Sequence, residues 1–416
     1  MDGDKKIKKI RNSGLKPDNL PNARVGHPYK TLISNDFLSS GSSAECWLEG
    51  LEKTGLHFFP KKKQITGVPK NSGSFDVHYN IREYNESAGM EELTTHTLKL
   101  IIEDDYNIPL EEVDENDPYW KSDVEADKIL VNFDDKKRLK KDVIAASRRG
   151  YLHLEEGKIR EDDFCIRYDF DTRWYILAVA DGAGKSKYSR YGSKIACNSS
   201  VNACFEQLIA QSRNLKKLAI KYNRRKKNHI RKEFAGKLHN IIALSVTKAY
   251  EDIVVEATNL NRYPEDYATT LLLCICKKFE FGWLIGAFTV GDGAVCVFHK
   301  DNWSANLMGG IENDTSMRYF LTTPGIVQPS ELEQRIRFTI VNDFSALFLM
   351  TNGVSNQKFE CENDLICFEL WNKLWNDINS QVNFSGEIKD VSEQLLKWLD
   401  FWTPGKFDDC TVAMIY

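Results

Sequence analysis

Trp174 to Val179 is an unbroken apolar run, and it leads into Ala180-Asp181-Gly182-Ala183-Gly184. A short run of this kind bounded by glycine reads as a buried strand. The Asp-Gly pair then sets a carboxylate at the edge of a sheet, and the glycine lets another group come close to the backbone. Three later segments repeat the pattern of a strand ending in an acid or amide: Gly291-Asp292-Gly293, Asn352-Gly353-Val354-Ser355-Asn356 and Asp408-Asp409-Cys410-Thr411. Oxygen donors gathered from several strand ends are what a hard divalent cation requires.

The rest of the chain is read around that pattern. A length of 416 residues leaves room for two or three domains, and 42% hydrophobic with 28% charged residues fits an ordinary soluble globular protein. A formal net charge of −4 supplies no global field toward nucleic acid or an anionic membrane. The opening MDGDKKIKKIRNSG has charges but no apolar core, so no signal peptide is expected. No stretch reaches the roughly 18 apolar residues of a membrane-spanning helix. Ten cysteines are scattered without a CxxC pair, which points to free thiols and a reducing, cytoplasmic setting.

Residues 15–84 carry short alternating strands separated by Gly and Pro, as in Gly55-Leu56-His57-Phe58, Ile65-Thr66-Gly67-Val68-Pro69 and Gly73 to Tyr79. This predicts a small all-β sandwich over residues 1–84, and the order of its phrases resembles immunoglobulin-like, cadherin-like modules of bacterial proteins. Such modules bind or space, and the strands between Ser34 and Cys46 are hard to place. Residues 85–140 read as a partly helical connector, with one amphipathic helix over Asn85 to Ile101 and then acidic and basic runs. From residue 141 strand-like runs (163–168, 174–180, 270–277, 283–290, 294–299, 337–341, 346–351, 411–416) alternate with helical patterns at 189–211, 229–257 and 391–401. Strand clusters interrupted by long helices predict an α+β sandwich of two sheets flanked by helices. Arg224 to Lys232 reads as a solvated join between two helices, without the aromatic interleaving of a nucleic-acid site.

Five ordered motifs give residues 141–416 a resemblance to the metal-dependent Ser/Thr protein phosphatases of the PP2C class, in their bacterial form. They are Arg160-Glu161-Asp162-Asp163-Phe164, Asp181-Gly182-Ala183-Gly184, Ala268-Thr269-Thr270-Leu271, Gly291-Asp292-Gly293 and Asp408-Asp409-Cys410-Thr411. The resemblance implies hydrolysis of phosphoserine or phosphothreonine by water activated between two Mg2+ or Mn2+ ions, without a covalent intermediate. It assigns Asp181 as the bridging ligand with the Gly182 carbonyl beside it, Asp162 as the early ligand and Glu161 as its neighbour. Asp408 is the last ligand, with Asp409 as the alternative one residue on. Asp266 reads as a solvated loop acid before it reads as the support of a third ion. His153 and Arg160 precede the first acidic motif and are the candidates for contact with the substrate phosphate. Animal-like members carry a histidine after the Asp-Gly pair, where this chain has Ala183, so His153 or water is left to protonate the leaving group.

One motif is altered. The resemblance implies aspartates at Asn352, a metal ligand, and at Asn356, a support for an additional ion. Asparagine keeps a neutral oxygen but removes a charge, and dication affinity depends on ligand charge. The expectation is a weakened or inactive phosphatase; the alternative is a pseudophosphatase that binds a phosphoprotein without turnover. The implied partners are a phosphorylated protein and, by the habits of the class, a cognate Ser/Thr kinase or a von Willebrand A-type protein, with neither nucleic acid nor membrane.

Overall fold

The computed structural model describes residues 20, 22–26, 28–33, 45–85, 90–103, 119–131, 140–309, 319–359, 361–384, 391–401 and 408–416. They form two compact units, one holding residues 20–103 and the other residues from 119 onward.

Apart from one short 3-10 turn at Pro60–Lys62, the regular elements among the first unit's described residues are strands. They are β1 (Ala23–Arg24), β2 (Tyr29–Leu32), β3 (Glu45–Glu49), β4 (Leu56–Phe59), β5 (Gln64–Gly67), β6 (Gly73–Asn85) and β7 (Met90–Glu103). One sheet runs β1-β7-β6-β3 and a second runs β2-β5-β4. Val77, Tyr79 and Ile81 on β6 and Leu98, Leu100 and Ile102 on β7 alternate inward at the period of two that a half-buried strand imposes. They meet Tyr29, Leu56 and Ile65 of the other sheet in one core. The helix expected over residues 85–101 is therefore a strand. β7 pairs with β6 from Gly73↔Ile102 to Asn85↔Met90, and its run of threonines suits a pleated surface better than a helix. Among the described residues of 85–140 there is no helix, and residues 34–44 and 132–139 lie outside the described set.

In the second unit the strands are β8 (Val124–Ile129), β9 (Val143–Arg148), β10 (Asp163–Tyr168), β11 (Tyr175–Ala180), β12 (Leu271–Phe279), β13 (Gly282–Val290), β14 (Ala294–His299), β15 (Ser304–Gly309), β16 (Ile336–Val341), β17 (Ala346–Met350) and β18 (Cys410–Ile415). Its helices are α1 (Tyr151–Glu155), α2 (Ser189–Ala210), α3 (Ser212–Arg225), α4 (Asn228–Asn259), α5 (Pro329–Arg335), α6 (Asn352–Lys358), α7 (Phe368–Gln381) and α8 (Val391–Trp398). Two antiparallel sheets form, β10-β11-β12-β13-β16 and β15-β14-β17-β18-β9-β8. Leu177, Val179, Cys274 and Ile285 from one face Val297, Leu347, Leu349 and Ala413 from the other.

The outer face of the first sheet is covered by α2, α3 and α4 through Val201, Leu215, Leu238, Ile242 and Val246. The outer face of the second is covered by α7 and α8 through Trp371, Leu374, Ile378, Leu395 and Trp398. The α4 core positions Ile230, Phe234, Leu238, Ile241, Ile242, Val246, Ala249 and Ile253 recur at helical spacing. Lys226, left-handed at φ 45°, ends α3 and turns the chain into α4, so the basic run is an exposed helix junction. All ten cysteines are free thiols. Among the described residues no helix is long and apolar enough to cross a membrane.

Candidate metal centre

Every acidic segment singled out in the sequence of this unit arrives at the same end of the two sheets. Asp181 follows the last residue of β11, and its backbone is fastened to the neighbouring strand. Its amide donates to Thr270 Oγ1 at 2.8 Å, while its carbonyl accepts from Thr270 N at 2.8 Å and Thr269 Oγ1 at 2.9 Å. The Ala268-Thr269-Thr270 motif thus acts through hydroxyls that fix the direction of Asp181. Gly182 bridges Thr269 in the same ladder. Asp162 stands just before β10, and its Oδ2 accepts from Thr351 Oγ1 at 2.8 Å. Thr351 is itself held by β18, its Oγ1 accepting from Thr411 N at 3.1 Å.

The two adjacent aspartates at 408 and 409 have different tasks. Asp409 is fully buried and both its oxygens are committed. Oδ1 accepts from Gly150 N at 2.5 Å and faces His153 Nδ1 at 3.0 Å; Oδ2 accepts from Glu161 N at 2.6 Å and Asp162 N at 3.3 Å. It is a buttress for the Glu161–Asp162 turn. Asp408 keeps one oxygen on the Asp409 amide at 2.9 Å, and its charge is felt by both Asp162 and Asp181. Gly353 permits this crowding, because a Cβ there would stand 1.8 Å from the Asp409 carbonyl oxygen.

Electrostatics marks the cluster. Burial, and then the charges of Asp162, Asp408 and Asp292, push the Asp181 carboxyl well above its ordinary range. Burial, Asp409 and Asp408 do the same to Asp162, and burial followed by Asp409 raises Asp408. Burial also raises Glu161 against the pull of His153. Asp409 goes the other way: burial opposes its charge, but His153 and the backbone amides outweigh that and hold it low. Burial works against a charged His153, yet Asp409, Glu161 and Asp408 together hold its pKa up at about 9. Acids that raise one another in a buried pocket mark a place built for a positive charge.

Of the other expected site residues, Glu161 and His153 belong to the cluster, with His153 Nε2 3.7 Å from Glu161 Oε2. Asn352 is buried at the start of α6, and its Nδ2 lies 3.4 Å from Asp292 Oδ2. Asn356 is exposed on α6 one turn further on, and Asp266 is half-buried in the turn before Thr269. Arg160 corrects the expectation that it reads a substrate phosphate. Its guanidinium is wholly buried and every nitrogen is taken: Nε donates to Ser122 O at 3.1 Å, Nη1 to Asp162 O at 3.2 Å and Nη2 to Glu125 Oε2 at 2.5 Å. An arginine beside an acidic motif looks the same in sequence whether it turns outward to a ligand or inward to a strand. Residues the sequence did not flag are Thr351, Lys121 and Ser193. A lone lysine in a charged stretch carries no periodic or motif signal that could have found Lys121.

The donor set suits a hard dication. Asp162 Oδ1, Glu161 Oε2 and Asn352 Oδ1 are buried oxygens without a hydrogen-bond partner, which is costly unless a cation or water meets them. Among the described residues no three His, Cys, Asp or Glu side chains are drawn together into a ready cage.

Residues 149–400 match the family model described as Protein phosphatase 2C, and the chain belongs to that family. Phosphatases of this family use Mg2+ or Mn2+ and act on phosphorylated proteins. Solved structures similar to the chain include a bacterial serine phosphatase at 16% identity, covering 66% of this chain and 96% of that one with a TM-score of 0.37. Another is PppA of Pseudomonas aeruginosa, described as a regulatory component of T6SS, at 12% identity, 66% and 97% coverage and a TM-score of 0.39. A third is the Mycobacterium tuberculosis serine/threonine phosphatase PstP, at 14%, 67% and 98%, with a TM-score of 0.37. No curated protein sequence matches the chain.

Proposed function

We propose that the second unit is a metal-dependent protein serine/threonine phosphatase whose turnover is weakened by Asn352 and Asn356. One observation carries this reading: Asp162 and Asp181, far apart in sequence, are both buried, and the charges of Asp162 and Asp408 raise the proton affinity of Asp181 as that of Asp408 raises Asp162. Asp162, Asp181 and Asp408 would hold the Mg2+ or Mn2+ ions, with the Gly182 carbonyl, Glu161 and the Asn352 oxygen around them and Asn356 and Asp266 at the margin. Bound there, the ions supply Lewis acidity for phosphomonoester hydrolysis by water. The chain's own residues do the rest. Thr351 and Asp409 orient Asp162, Thr269 and Thr270 orient Asp181, and His153 keeps a proton at neutral pH next to Glu161.

A pseudophosphatase is the second reading. The observation behind it is that Asn352 turns its amide toward Asp292, adding a donor where the family pattern adds a charge. In this scheme residues 141–416 are the phosphatase domain, with 109–140 as its lead-in. The N-terminal unit is an immunoglobulin-like docking or spacing module. The free thiols suit a cytoplasmic protein, and the partners are a phosphorylated protein and a Ser/Thr kinase or von Willebrand A-type protein.

Calorimetric titration with Mn2+ beside phosphate release from a phosphothreonine peptide tests the proposal. The expected result is a saturable Mn2+ site, at least about tenfold weaker in Asp181→Asn, a loss of about 1.4 kcal/mol. Slow phosphate release in the parent that disappears in the variant supports the enzyme; peptide binding without release supports the pseudophosphatase. Equal Mn2+ affinity in parent and variant defeats both.

A further inference from the structure

Lys121 lies in the lead-in before the residues that match the family, and its side chain is among the most buried charges in the unit. Its Nζ donates to Glu161 O at 3.0 Å, Asp162 O at 3.1 Å and Ser193 Oγ at 2.7 Å, and it pairs with Asp163 Oδ2 at 3.1 Å. Its side chain is 2% exposed and that of Asp163 is 9% exposed. A three-donor ammonium with this many acceptors is fully satisfied, the condition under which a buried ion pair holds a geometry instead of only costing desolvation.

The neighbours of Lys121 repeat the contact. Ser122 O and Glu125 receive Arg160, Asp123 receives Arg149 Nη2 at 3.3 Å, and Asp123 O accepts from Arg149 N at 2.7 Å. Tyr119 stacks on Tyr191 of α2 with centroids 4.2 Å apart. Residues 119–125 therefore form a strap along residues 160–163.

We propose that Lys121 is a positioning residue of the metal centre, holding through the carbonyls the same Glu161–Asp162 turn that Asp409 holds through the amides. The amides of Glu161 and Asp162 go to Asp409, and their carbonyls go to Lys121. The Glu161–Asp162 peptide is thereby held at both its C=O and its N–H, which fixes the backbone from which the Asp162 carboxylate reaches Thr351 Oγ1. Asp163, one residue beyond the ligand position, serves to hold the lysine rather than an ion. The positioning role itself stands on these contacts; only its effect on metal affinity rests on the metal reading above.

The test uses the full chain with Lys121→Met, read by hydrogen–deuterium exchange resolved to residues 158–164. The expected result is exchange of the Glu161 and Asp162 amides faster by about tenfold or more, with β12 and β13 unchanged. Mn2+ affinity measured by calorimetry should fall about tenfold alongside. Exchange within about twofold of the parent at those amides overturns the proposal. If Lys121→Met does not fold, Asp163→Asn keeps the shape and an acceptor while removing the pairing charge, and it should speed the same amides by about threefold; no change there overturns the proposal equally. Faster local exchange in a protein whose parent binds no Mn2+ supports the clamp and defeats the metal reading, so the two fail separately.

Discussion

Replacing Asn352 and Asn356 together by aspartate is expected to raise Mn2+ affinity about 100-fold, and to raise phosphopeptide hydrolysis with it. Two unit charges about 4 Å apart attract by about 4 kcal/mol at an effective dielectric near 20, and a dication doubles this. Repulsion by the acids already present and the desolvation of a new carboxylate take back much of it, leaving about 2–3 kcal/mol. Asn352 should carry most of the gain, because it is buried among the acids while Asn356 is exposed. The metal-free protein should respond in the opposite sense. The Asn352 amide now meets Asp292, and a carboxylate there removes that contact and adds a like charge. A loss of about 1–3 kcal/mol is expected without metal, reversed when Mn2+ is added. Melting curves with and without Mn2+, beside calorimetric titration, read both signs. An affinity unchanged from the parent shows that these two amides do not limit the site.

Asp409→Ala is the second large effect. It leaves the amides of Gly150, Glu161 and Asp162 without their acceptor and a buried His153 without its counter-ion. Removing one partner of a buried charge pair costs about 3–5 kcal/mol. For a unit of this size that is a fall in melting temperature of about 10 °C. Mn2+ binding should be lost as well, because the turn that aims Asp162 is released. Asp409→Asn, which keeps the shape and the acceptor oxygen, should lose much less stability. Differential scanning calorimetry of the two variants decides it; a melting temperature for Asp409→Ala within about 2 °C of the parent would show that the buttress is dispensable.

Much of the second unit is legible in its sequence, because buried strands and long helices leave strong periodic marks. The runs 294–299 and 163–168 coincide with β14 and β10, and the helical pattern at 189–211 with α2. The runs pass over β9 and α7, although β9 is buried nearly throughout and α7 buries residues at helical spacing, and over elements that are weakly marked. The core residues of α3 are Leu215, Leu218 and Ala219 in an otherwise charged helix, and β8 and β15 are edge strands with mixed faces. The sequence of β7 resembles an amphipathic helix because its polar residues mask the alternation of Leu98, Leu100 and Ile102. At the site, the motif order pointed to Asp162, Asp181 and Asp408. It could not tell which of Asp408 and Asp409 is spent on backbone amides, since that depends on which strand turns toward which. Arg160 and Lys121 show the same limit: both are fixed by partners about 35 to 72 positions away in sequence, and no local pattern encodes such a contact.

The most direct measurement is an anomalous difference map from crystals of the protein soaked in millimolar Mn2+. The account predicts a manganese peak enclosed by the carboxylates of Asp162, Asp181 and Asp408. A map with no peak among those three side chains, in crystals that diffract well and contain the ion, would contradict it.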